Sequence, residues 1–180
     1  EIMYHPPAAP VGSPYEAEDF EYVELRNIGL TNLSLTGVRF TGGIDFSFTG
    51  SAVTTLAPGA YVLVVKNLAA FTSRYGALAN IAGQYSGILN NAGENIQLDD
   101  AVGEKILNFS YNNSWYPITD GPGASLVIVN QKDRLRVARR VLLVARHDAP
   151  AVSSGRGSRK RKTLPEGEPG SASIVPRCAV

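Results

Sequence analysis

Cysteine and histidine are nearly missing from this chain, and so is any long apolar run. Cys178 stands alone among 180 residues, so no disulfide can close within the chain, and cysteine usage leaves the redox compartment open. His5 lies beside a double proline and His147 far along the chain, which leaves little from which to build a Ser-His-Asp or Cys-His arrangement. No phosphate-cradling glycine loop, zinc-ligand spacing or helical His-Glu motif is present. The chain therefore reads as non-catalytic and calls for no cofactor. No stretch approaches the roughly 18 apolar residues of a membrane span. The first residues also lack the charged start and apolar core of a signal peptide. The expectation is a fragment or processed piece of a longer protein, with any targeting signal upstream.

Each part of the chain is poor in charge of one sign. Residues 1–130 hold five basic side chains (Arg26, Arg39, Lys66, Arg74, Lys105) against twelve acidic ones, a net of −7. Residues 131–180 hold twelve basic against four acidic, a net of +8, and the two nearly cancel to +1. Such a split separates an acidic domain from a basic extension. With 44% hydrophobic residues overall, the first part is large enough to bury a core of its own.

The stretch 56–66 organises that first part. Pro58-Gly59 marks a turn, and Tyr61–Val65 is an unbroken β-branched, aliphatic and aromatic run closed by Lys66-Asn67, which predicts a strand buried on both faces. Shorter segments supply its neighbours. Residues 1–4 form a strand stopped by His5-Pro6-Pro7. In 20–27, Val23 and Leu25 face one way and Tyr22, Glu24 and Arg26 the other, the period of a half-exposed strand. Residues 33–40 read as one strand bent at Gly37, and 44–48 alternate Ile44, Phe46 and Phe48 with Asp45 and Ser47. Asn95–Asp99 and 105–111 predict a hairpin that sets Ile96 and Leu98 against Leu107 and Phe109. A last strand covers 125–130. Leu68–Tyr75 is the one helical candidate, with Asn67 as N-cap and Gly76 as stop. Residues 83–93 read as turns, and Trp115-Tyr116-Pro117 as a plug at one end of the core. About eight short strands and one short helix predict an all-β sandwich.

Six stretches in this order resemble the lamin-tail domain in its bacterial form. They are Glu1-Ile2-Met3-Tyr4 with Pro6-Pro7, Glu21-Tyr22-Val23-Glu24-Leu25-Arg26-Asn27, Leu35-Thr36-Gly37-Val38-Arg39-Phe40, the whole of 56–67, Leu89-Asn90-Asn91-Ala92-Gly93-Glu94, and Asp120-Gly121-Pro122-Gly123-Ala124-Ser125-Leu126. Val38 stands where such domains often carry tryptophan. The resemblance implies an immunoglobulin-like β-sandwich over residues 1 to about 130, used for attachment or interaction rather than catalysis. In bacteria such domains look like accessories of exported or surface proteins, sometimes beside hydrolases. In animals the related domain sits in nuclear intermediate filaments and binds chromatin and proteins. Beyond Asn130 the resemblance ends. Residues 131–180 are rich in Arg, Ala, Gly and Ser with no strand pattern, and read either as a basic, disordered or partly helical extension or as a stretch translated out of frame.

Candidate contact residues fall in two places. Tyr15 and Tyr22 read as an exposed aromatic pair beside the acidic loop Glu16, Glu18, Asp19 and Glu21, which reads as a solvated rim guarding an edge strand. Calcium would need six to eight converging oxygens, and neither this loop nor Asp99-Asp100 has a known spacing for that. In the extension, residues 134–146 drawn as a helix put Arg136, Arg139, Arg140 and Arg146 opposite an apolar side. Arg156, Arg159, Lys160, Arg161 and Lys162 form a polybasic run suited to phosphate backbones. The expected partner is a protein or cell-surface component met outside the cell, through loops and edge strands. The alternatives are nucleic acid or anionic membrane bound by the extension, and an accessory role beside a hydrolase.

Overall fold

The computed structural model describes residues 1–128 and a strand at Ile174–Cys178. In chain order the strands are β1 (Ile2–Met3), β2 (Tyr22–Arg26), β3 (Leu33–Ser34), β4 (Arg39–Gly42), β5 (Phe46–Ser47), β6 (Thr55–Leu56) and β7 (Tyr61–Val65). The helix α1 (Leu68–Tyr75) follows, then β8 (Ile81–Gln84), β9 (Asn95–Asp99), β10 (Lys105–Ser110), β11 (Ala124–Ile128) and β12 (Ile174–Cys178). Six strands form one sheet in the order β12-β11-β1-β2-β7-β8. Four form a second in the order β10-β9-β4-β5, and β3 pairs with β6 at one end.

The doubly buried run is the strand predicted for it. β7 pairs antiparallel with β2, Leu63 opposite Glu24, and parallel with β8. A parallel neighbour requires a crossover, and α1 supplies it. The Asn67 side chain accepts from the Ala69 and Ala70 amides at 3.0 and 3.1 Å, and Gly76 ends the helix at φ +84°. The helix then buries Ala70 and Phe71 on the outer face of the sheet. There Phe71 joins Met3, Tyr22, Leu63, Val65 and Ile81, with its ring edge-on to Tyr22 at 5.6 Å between centroids.

On the inner face Val23, Leu25, Val62 and Val64 meet Leu35, Phe40, Phe48, Ile96, Leu98 and Leu107 from the opposite side. Each such side chain stabilises by roughly 1.5–3 kcal/mol when fully buried. Together the two sheets make the immunoglobulin-like sandwich.

Four local expectations are corrected. Strand β2 is not half-exposed: Tyr22 and Glu24 are both buried, Tyr22 because Phe71 and Tyr75 of α1 cover its ring. Residues 33–40 divide into β3 and β4, because the Val38 amide donates to the Leu35 carbonyl and Gly37 turns at φ +83°. A Cβ on Gly37 would lie 2.4 Å from that of Ala101, so the turn and the tip of the β9–β10 hairpin approach as only glycine permits. The expected turn region 83–93 begins inside a strand, Ile81–Gln84, whose Ala82 and Gly83 carry no sheet-like alternation. Trp115 is 46% exposed and plugs nothing; Tyr4 and Tyr111 fill that end instead, ring centroids 4.8 Å apart.

The predicted hairpin forms, with Leu107 opposite Leu98 and Phe109 opposite Ile96. The extension, read as lacking strands, contributes one at β12, which pairs along β11 with Cys178 opposite Ala124. Its expected helix at 134–146 lies outside the described residues. Among the described residues no helix is long and apolar enough to cross a membrane.

Candidate interaction surface

The acidic loop is held in place by Asp19 and Arg74. Asp19 Oδ2 accepts from the Glu16 amide at 3.0 Å, and its Oδ1 from Asn67 Nδ2 at 3.3 Å, which ties the loop to the helix cap. Arg74 lies 3.3 Å over the Phe20 ring and donates to the carbonyls of Pro7 and Ala8. One guanidinium thus clamps the segment between β1 and β2 against α1.

Tyr15 is half-buried, edge-on to Phe20 at 6.0 Å, and shares this loop with Glu16, Glu18 and Asp19. Tyr22 does not join them. It is fully buried beneath the helix, so the proposed aromatic pair loses one member. Arg136, Arg139, Arg140, Arg156, Arg159, Lys160, Arg161 and Lys162 lie outside the described residues. Among the described residues no three His, Cys, Asp or Glu side chains come together to hold a metal ion.

Glu21 departs furthest from its expected place on the rim. It points into the core with no exposed surface, where Oε2 accepts from the Tyr85 hydroxyl at 2.8 Å and the Leu89 amide at 3.0 Å. Oε1 has no hydrogen-bond partner among the described residues. Burial lifts this carboxyl from 4.5 to about 7, against the opposing pull of the Leu89 amide, the Tyr85 hydroxyl and the Lys66 ammonium. Lys66 donates to the Gly87 carbonyl and lies 6.0 Å over the Tyr85 ring. These bonds fasten the connection after β8 to the entry of β2. The signal available in sequence was a glutamate directly before an apolar strand, and an acidic loop explained it equally well.

At another end His5 Nδ1 lies 2.6 Å from Asp120 Oδ1, each side chain one-third exposed. Asn113 Nδ2 donates to Asp120 Oδ2 at 3.2 Å, and the Gly121 amide to the His5 carbonyl. The pair pins the connection between β10 and β11 to the end of β1. The other ring nitrogen has no hydroxyl or thiol bonded to it among the described residues, so the geometry is that of a tie rather than an activated nucleophile. The same connection exposes Trp115 and Ile118.

The second sheet leaves its outer face polar. Asn95 Nδ2 donates to Asn108 Oδ1 at 2.8 Å and Ser110 Oγ at 3.3 Å, Asn108 Nδ2 to Gln97 Oε1 at 3.1 Å, and Gln97 Nε2 to Asp99 at 2.9 Å. Thr41 Oγ1 completes the row on Asp99 at 2.6 Å. Between the sheets a cavity of about 30 Å³ is lined by Ile2, Leu25, Leu107, Phe109, Leu126 and Val127 among others. That is room for a water or two, far below the several hundred Å³ of a ligand pocket.

A protein-family model described as Lamin Tail Domain matches residues 1–113, ending in the connection after β10 and short of the position where the sequence motifs stop. No curated protein and no solved structure matches the chain.

Proposed function

The chain belongs to the Lamin Tail Domain family, and from that premise we propose that it is the attachment module of a larger exported or cell-surface protein, binding a protein or surface partner through its loops and edge strands. The family is one of immunoglobulin-like interaction domains without catalytic function. The observation that carries the reading is where large apolar side chains remain in water. Leu30, Ile88, Val102, Trp115 and Ile118 are all exposed, and all sit on connections rather than on the sheets. Tryptophan and isoleucine beside a polar His5–Asp120 tie give a contact with an apolar centre and a hydrogen-bonding rim.

The polybasic run 156–162 favours a second reading, in which the extension binds nucleic acid or anionic lipid without sequence preference. Two variants of the full chain separate the readings. Trp115→Ala with Ile118→Ala is expected to weaken binding to bacterial cell surfaces. Replacing Arg159, Lys160, Arg161 and Lys162 with glutamine is expected to leave that binding unchanged, while lowering any affinity for duplex DNA or anionic vesicles at low salt. Loss of cell-surface binding in the glutamine variant, with none in the other, would transfer the function to the extension.

A further inference from the structure

We infer that the free edge of β10 joins to the same edge of a second copy of this chain, forming a continuous sheet across a two-fold axis. The inference rests on the interaction-module reading and gives it a particular surface. The other sheet edges are guarded. β12 carries Pro176 and Arg177, β5 is two residues long, and β8 contains Gly83 and continues into a bridge from Ser86 to Asp45. Among the described residues β10 pairs only with β9, and it has none of these protections beyond its first residues.

From Ile106 to Tyr116 the sequence contains no charge, no proline and no glycine. Lys105 and the register shift between Lys105 and Leu107 disturb only the start of the strand.

Which groups face the open edge follows from the ladder. The Tyr111 amide donates to the Glu94 carbonyl at 3.0 Å, and hydrogen-bonded pairs alternate along an antiparallel ladder. Phe109 and Leu107 therefore bond to β9, whereas the amides and carbonyls of Asn108 and Ser110 point away from it. Asn108 and Ser110 also expose their side chains.

An identical strand laid antiparallel here would meet no like charge. It would prolong the Asn95–Asn108–Ser110 row on the outer face and set apolar residues beside Leu107 and Phe109 on the inner one. The lining of the cavity shows β10 facing β1 and β11, so an added strand would lie opposite β12 and close that seam. The net charge of the whole chain, +1, offers little long-range repulsion between copies.

Sedimentation of the full chain tests this, over about 1 to 200 µM and at roughly 0.15 and 0.5 M salt. The expected result is a concentration-dependent rise to twice the monomer mass that persists at the higher salt. Asn108→Lys combined with Ser110→Lys should raise the midpoint concentration at least about tenfold through like-charge repulsion. Ser110→Pro should do the same, because the amide it removes is not used by the fold, and circular dichroism at low concentration checks that both variants stay folded. A monomer at every concentration, a dimer that dissolves at 0.5 M salt, or a dimer indifferent to both folded variants would overturn the inference. A chain that binds cell surfaces normally as a monomer would retain the attachment reading and lose this one.

Discussion

Among the described residues, the six-stranded sheet has protein on both faces, whereas the four-stranded sheet has it on one. In β7 each residue of Tyr-Val-Leu-Val-Val is buried or partly buried; in β9 the run Asn-Ile-Gln-Leu-Asp sends Ile96 and Leu98 inward and joins its polar residues into the outer row. The helix makes the difference. By covering β2 and β7 it turns Tyr22 from a surface residue into an interior one, and interior polar groups need partners. The Tyr22 hydroxyl and Ser125 Oγ both donate to Glu1 Oε1, at 2.9 and 2.6 Å. Burial, with nearby carboxylates, keeps the Tyr22 hydroxyl protonated well above its ordinary range. The helix-covered sheet thus needs interior partners for its polar groups, whereas the second sheet bonds its own to one another along the outer row.

That contrast breaks most sharply at Phe71. Phe71→Ala empties the space between helix and sheet and should cost about 3–5 kcal/mol in urea unfolding. A loss under about 1 kcal/mol would mean that the helix is not a structural cover.

Glu21 tests the interior electrostatics. Its folded value is raised, so the folded state holds the proton more tightly than the unfolded one. Its contribution is full below pH 4.5 and is lost as pH rises to about 7. Over that window the wild type should lose about 3 kcal/mol relative to Glu21→Gln, whose own difference is flat with pH. Unfolding curves at several pH values measure this, and parallel profiles for the two proteins would show that the carboxyl is solvated.

Asn67→Ala removes the helix cap and should cost about 1 kcal/mol, read as a lower denaturation midpoint. Gln97→Ala, in the outer row of the open sheet, should change stability by only about 0.5 kcal/mol. A larger loss there would indicate that the outer face is covered.

Much of this architecture is legible in sequence wherever one residue type serves one purpose. The β7 run, the capped helix and the β9–β10 hairpin announce themselves because burial, capping and alternation leave local marks. The interior role of Tyr22 and Glu21 leaves none. Alternation reports which residues share a face, and it is silent on whether a distant helix covers that face. β8 is hidden for a different reason: a short parallel strand bearing Ala82 and Gly83 is specified by its crossover, not by its own side chains. Of the proposed contact residues, Tyr15, Glu16, Glu18 and Asp19 share the segment between β1 and β2, as their closeness in sequence implies. The clamp by Arg74 and the tie between His5 and Asp120 depend on residues 54 and 115 positions apart, which spacing cannot reveal.

Amide hydrogen exchange resolved residue by residue, on dilute full-length chain, tests the division between a covered sheet and an open-edged one most directly. The account predicts slow exchange at every position from Val62 to Val65, and along β10 an alternation in which Phe109 and Tyr111 are protected while Asn108 and Ser110 exchange rapidly. Asn108 and Ser110 protected as strongly as Phe109 in dilute solution, or Val62 to Val65 exchanging like a loop, would contradict it.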